Sequence, residues 1–116
     1  MTARLSRPEA SMLAQDGPDT TAHVGMVHVL GDGSGRLDHD GLLDLVGDLL
    51  AYVPRYRQRV RSVPGQLTGP LWVDDAGFDL RFHVRRAALP STGSSDRLHE
   101  LVAELMSTPL DRSRPL

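Results

Sequence analysis

A run of apolar residues at helical spacing constrains this chain more than any other feature. Leu42, Leu45, Val46, Leu49, Leu50 and Val53 fall at i, i+3, i+4, i+7, i+8 and i+11, a single stripe along a helix from about Asp38 to Val53. Asp38 or Asp40 caps its start and Pro54 ends it. Gly41 and Gly47 lie inside, each about 1 kcal/mol worse than alanine unless close packing requires it. Tertiary contacts must therefore hold this helix.

The flanking elements supply those contacts. Ser6 caps a short first helix, with Pro8 in the first turn and Glu9 completing a capping box. Ala10, Leu13 and Ala14 give it a weak apolar face, and Asp16-Gly17-Pro18-Asp19 stops it. His23 to Leu30 (HVGMVHVL) reads as a valine-rich strand, and Gly31 to Gly35 as a loop. Leu71 to Val73 and Leu80 to Val84 read as short extended segments. The last helix runs from about Asp96 to Ser107, capped by Ser94 or Ser95 and stopped by Pro109. Its stripe is Leu98, Leu101, Val102, Leu105 and Met106. The expected order is α-β-α-β-β-α, an α/β (α+β two-layer) pattern over residues 1–116.

Length and charge narrow the class of function. A chain of 116 residues suits one small domain. Its net charge of −2 lacks the basic excess of a nucleic-acid binder. With no cysteine, disulfides, thiolate metal sites and cysteine nucleophiles are excluded. No apolar stretch spans a bilayer, and the first ten residues do not form a secretory signal, so a cytoplasmic protein is expected. All 13 basic residues are arginine, which a GC-rich coding sequence explains.

No catalytic constellation emerges from residue spacing. His23 and His28, five apart on a strand, point to opposite faces and cannot chelate one ion. The Asp38-His39-Asp40-Gly41 stretch fails as a calcium loop, because Arg36 and Gly47 stand where ligands belong. His83 and His99 have no evident partner, and no metal or bound cofactor is expected. Gly31 to Gly35 lacks phosphate-cradle spacing, and Ser34 is misplaced for a nucleophile elbow. The adjacent Asp74 and Asp75 share no target. Arg55, Arg57, Arg59 and Arg61 alternate, so in extended backbone they share one face. That face is either an anion or lipid-surface contact, or a solvated face paired with aspartates; the second reading carries more weight.

An ordered set of segments nevertheless resembles a known family. Arg4-Leu5-Ser6, Glu9-Ala10 and Met12-Leu13 are followed by His23-Val24-Gly25 and by Pro54 to Val60 (PRYRQRV). Then come Trp72-Val73-Asp74, Phe78-Asp79-Leu80, His83-Val84-Arg85, Leu89-Pro90 and Leu105 to Leu116 (LMSTPLDRSRPL). Together these resemble the N-terminal part of the actinobacterial wax ester synthase/diacylglycerol acyltransferase family. Thr21-Ala22 and Tyr56 depart from its common residues.

The resemblance implies a partial CoA-dependent acyltransferase fold, like chloramphenicol acetyltransferase and condensation domains. It implies acyl-CoA as co-substrate and diacylglycerol or a long-chain alcohol as acceptor. The family's His-His-x-x-x-Asp-Gly motif, whose second histidine is the general base, follows a Pro-Leu-Trp segment. Pro115-Leu116 matches the first two residues of that segment, so the motif is expected beyond this chain. The chain alone is then expected to be inactive, one wall of a larger domain. Arg55, Arg57, Arg59 and Arg61 would lie near CoA phosphates, the inner membrane or lipid inclusions. The alternative is a non-catalytic partner that pairs in trans with a separately encoded catalytic half.

Overall fold

Local chemistry sets where the helices begin. The computed structural model describes residues 2–31, 35, 37–90 and 95–115. Ser6 opens helix α1 (Arg7–Gln15) through a reciprocal cap: its hydroxyl accepts from the Glu9 N–H at 3.4 Å, and the Glu9 carboxylate accepts from the Ser6 N–H at 2.6 Å. Asp38 opens helix α2 (His39–Leu50), its Oδ1 accepting from the Gly41 N–H at 2.8 Å. A Cβ on residue 41 would lie 3.1 Å from that oxygen, so glycine lets the cap close.

Three short strands form one antiparallel sheet: β1 (Thr2–Arg4), β2 (Gln58–Arg61) and β3 (Leu71–Asp74), in the order β1-β3-β2. Trp72 sits at its centre, opposite Ala3 on one side and Val60 on the other. A 3-10 turn at Pro54–Arg57 leads into β2. Helices α3 (Leu80–His83) and α4 (Ser95–Ser107) complete the order β-α-α-β-β-α-α. The expected mixed α/β class stands; the expected order does not. Strand β1 is too short to show periodicity, and its pairing with β3 imposes it.

Two further expectations are corrected. Leu80 to Val84 is not extended but one helical turn. Asp79 caps it by accepting from the Arg81 N–H at 3.0 Å, and the Val84 N–H reaches the Leu80 carbonyl at 2.9 Å. Alternating Leu80, Phe82 and Val84 imitate a strand, but the cap and the clustered rings of Phe78, Phe82 and His83 hold the turn. His23 to Leu30 pairs with no strand among the described residues. It is anchored just before its start, where Asp16 accepts from the Ala22 N–H at 3.0 Å. Ser94, one candidate cap, and Asp32 to Ser34 of the glycine loop lie outside the described residues.

Burial is sparse. Among the described residues Leu43, absent from the expected stripe, is the large aliphatic side chain that is buried, at 7% exposure. Gly47, one turn on, lies against Leu80 of α3, so α2 packs through its Leu43–Gly47 side. Leu45, Leu49 and Val53 of the stripe remain open to solvent. Leu49 and Val53, with Val46, Leu50, Tyr52 and Tyr56, line an apolar groove of about 490 Å³. The accessible surface is 9563 Å², against about 6,200 Å² for a compact monomer of this mass. The radius of gyration is 17.2 Å, against about 13 Å for a compact domain of this length. Among the described residues no helix is long and apolar enough to cross a membrane.

This burial pattern sorts the leucines of α2. Leu43→Ala should cost about 2–5 kcal/mol in urea unfolding, the range for a buried leucine. Leu45→Ala, at a half-exposed position, should cost less than about 1 kcal/mol. Equal losses would contradict the packing described.

Candidate functional site

Arginine organises the region where the C-terminal segment crosses the molecule. Arg112 reaches the end of α1, 96 residues away in sequence. Its Nε and Nη2 donate to Asp16 Oδ2 at 3.1 and 2.6 Å, and Nη2 also donates to the carbonyls of Leu13 and Asp16. One guanidinium thus closes the carbonyl end of a helix and pairs with a carboxylate, which its forked donors permit. Two residues on, the Arg114 guanidinium lies 3.8 Å from the Phe82 ring centroid. From β2, Arg59 Nη1 donates to the Ser113 carbonyl at 3.4 Å. The segment is tied at three points, and Pro115 is buried at its end. Leu116, the other residue of the Pro-Leu pair, lies outside the described residues.

The carboxylates here respond to their donors. The Ala22 N–H, and then the Arg112 guanidinium, hold the Asp16 carboxyl below its ordinary range. The Ser113 hydroxyl and N–H do the same for Asp111. Backbone and hydroxyl bonds from Ser6 lower Glu9.

The four alternating arginines are not held on one extended face. The 3-10 turn replaces extended backbone over Pro54–Arg57, so the alternation holds for Arg59 and Arg61 alone. Arg55 lies over the Trp72 ring at 4.6 Å and Arg57 over Phe78 at 5.1 Å. Arg59 pairs with Asp75 at 3.8 Å. Arg61 is exposed, and its guanidinium makes no ion pair or hydrogen bond among the described residues. With Arg85 and Arg114 both over Phe82, every tryptophan and phenylalanine of the chain carries a guanidinium. Sequence spacing gave no sign of these contacts, which join residues from different elements.

The histidines are dispersed. His23 lines a groove of about 330 Å³ with Glu9, Asp16 and Trp72, and His83 stacks on Phe78 at 5.3 Å. His39 starts α2, while His28 and His99 are exposed. Among the described residues no histidine is hydrogen-bonded to a hydroxyl or carboxylate, the contact a general base would make with the group it activates or the one that orients it. Asp44, Asp48 and Asp79 line a gap of about 600 Å³ between α2 and α3, with Arg81 among them. No three metal-ligating side chains converge among the described residues.

Comparison with known proteins gives a consistent picture. The family model described as the wax ester synthase/diacylglycerol acyltransferase catalytic domain matches residues 5–116. A probable diacylglycerol O-acyltransferase of Mycobacterium tuberculosis is 45% identical over 116 residues, which is all of this chain and 43% of that relative. A second probable diacylglycerol O-acyltransferase of that organism is 47% identical over 79 residues, 68% of this chain and 17% of its own length. The chain therefore spans less than half the length of these relatives. No solved structure matches it.

The Asp16–Arg112 tie predicts an acid-side signature. A carboxyl lowered in the folded chain adds stability that is fully present above the ordinary carboxylate pKa. That stability is lost as pH falls through the folded value. Asp16→Asn should lower the melting temperature at neutral pH and flatten its decline on acidification. Identical acid slopes for parent and variant would contradict the tie.

Proposed function

The chain belongs to the wax ester synthase/diacylglycerol acyltransferase family, and from that premise we propose that it forms one wall of an acyl-CoA-dependent O-acyltransferase domain. The acceptor is diacylglycerol or a long-chain alcohol, giving triacylglycerol or a wax ester. The observation that carries this reading is the family match along residues 5–116, with 45% identity to the mycobacterial relative over the whole chain. The partial CoA-dependent acyltransferase fold is part of the same proposal.

Ester formation needs a positioned base on the acceptor hydroxyl as its oxygen attacks the acyl thioester carbonyl. The hydroxyl proton goes to the base and the CoA sulfur leaves. The family's His-His-x-x-x-Asp-Gly pattern is not in these 116 residues, so that base comes from polypeptide outside them. The share of this chain is structural. The fastening of Leu110 to Pro115 by Arg112, Arg114 and Arg59 fixes one wall of the site. Contact with an anionic lipid surface through the Arg55–Arg61 segment would fall first on Arg61, the arginine not engaged internally.

A second reading is favoured by the bare apolar faces of α2 and of Val24 to Leu30. The chain then acts as a subunit that pairs in trans with a separately encoded catalytic half.

One chimera tests the first reading. This chain is fused in frame to the part of the 45%-identical mycobacterial relative that lies outside the match. The fusion should convert acyl-CoA and diacylglycerol to ester, and the 116-residue chain alone should not. Ester formed by the chain alone above a no-protein blank, or none from a folded fusion, would contradict it. Activity from the two parts expressed separately would favour the second reading.

A further inference from the structure

We propose that Ala22 to Leu30 is a β-strand whose neighbour is supplied by the polypeptide that completes the acyltransferase domain, an inference that rests on the family reading above. The segment runs without helix, turn, bend or strand pairing. Among the described residues, no backbone hydrogen bond involves the N–H or C=O groups of His23 to Leu30. Three valines give it strand character, and it contains no proline, Asp, Glu, Lys or Arg. Exposed edge strands are usually guarded by such residues, so this one is built to be paired.

Its side chains point the same way. Residue 25 has no side chain, and a Cβ there would collide with the Met106 thioether, so α4 lies against the backbone at this point. Beyond that contact the segment is bare on both sides: Val24 is 91% exposed, Met26 80%, Val29 83% and Leu30 72%. A strand that touches a helix at one residue and is otherwise bare on both sides needs an adjacent strand and an apolar cover.

Surface area decides what supplies them. The surface exceeds that of a compact monomer by about 3,000 Å², several times the roughly 800 Å² that each partner buries in a standard interface. A second copy pairing this segment with itself would leave the α2 groove open. A polypeptide of domain size can cover both, and more than half of the 45%-identical relative lies outside the match. The occupant is therefore the remainder of an acyltransferase of that kind, adding a strand edgewise to Ala22–Leu30.

Hydrogen exchange tests this on the isolated chain and on the chain co-expressed with that unmatched remainder. The amides of Val24 to Leu30 should exchange freely in the isolated chain and slow by about 100-fold or more in the complex. Val24→Glu with Met26→Glu should weaken the complex by about tenfold or more while leaving the circular dichroism of the isolated chain unchanged. If the complex forms and makes ester but these amides stay unprotected, the strand proposal is overturned and the function stands. Protection that appears in the chain alone as its concentration rises assigns the edge to a second copy and also overturns it. If no complex forms and the fused chimera is inactive, both readings fall.

Discussion

A helix with an apolar stripe is stable in water only if the stripe is covered, and this chain has little with which to cover its own. Its sheet has three strands of three or four residues, and among the described residues its helices approach that sheet closely at few points. Leu43 finds a buried place through the Gly47–Leu80 approach of α3. Leu45 and Leu49, on the same helix, and Val53, just beyond its end, do not. The extended outline, the large accessible surface and the unpaired valine segment all express this shortage of cover.

What order the fold has comes largely from polar and cationic contacts. Arg112 fastens the C-terminal segment to the carbonyl end of α1, and Arg114 and Arg59 fix it against α3 and β2. The all-arginine composition, read from sequence as a coding bias, acquires a structural use at the Trp72, Phe78 and Phe82 rings. A guanidinium stacks on a ring and donates from its edge at once, as Arg85 does to the Phe82 ring and carbonyl. These contacts hold separate elements together but cover little apolar area.

Features that depend on neighbouring residues were legible in the sequence. The Ser6–Glu9 capping box, the Asp38 cap, the span of α4 and strand β3 all follow from spacing a few residues long. Features that depend on distant partners were not. The Asp16–Arg112 tie has no local signature, and Leu43 displaced the expected stripe because α3 packs on one side of α2. Asp79 turned an alternating pattern into a helical turn. The valine-rich segment has the composition of a strand, but pairing requires a neighbour, and none lies among the described residues. Family membership was legible because it rests on the order of many short segments. The candidate site was not, because its contacts, such as Arg112 to Asp16 and Arg114 to Phe82, join residues far apart in the chain.

The proposal that this chain is part of a larger acyltransferase domain is tested most directly by the heat capacity of association. Calorimetry of this chain titrated with the unmatched remainder of the mycobacterial relative, repeated at several temperatures, measures the apolar area that association buries. The expected result is binding with a heat-capacity change of about −0.3 kcal/mol/K or more negative, corresponding to burial of both the α2 groove and the Val24–Leu30 face. Binding with a heat-capacity change near zero, or no binding at all, would contradict it.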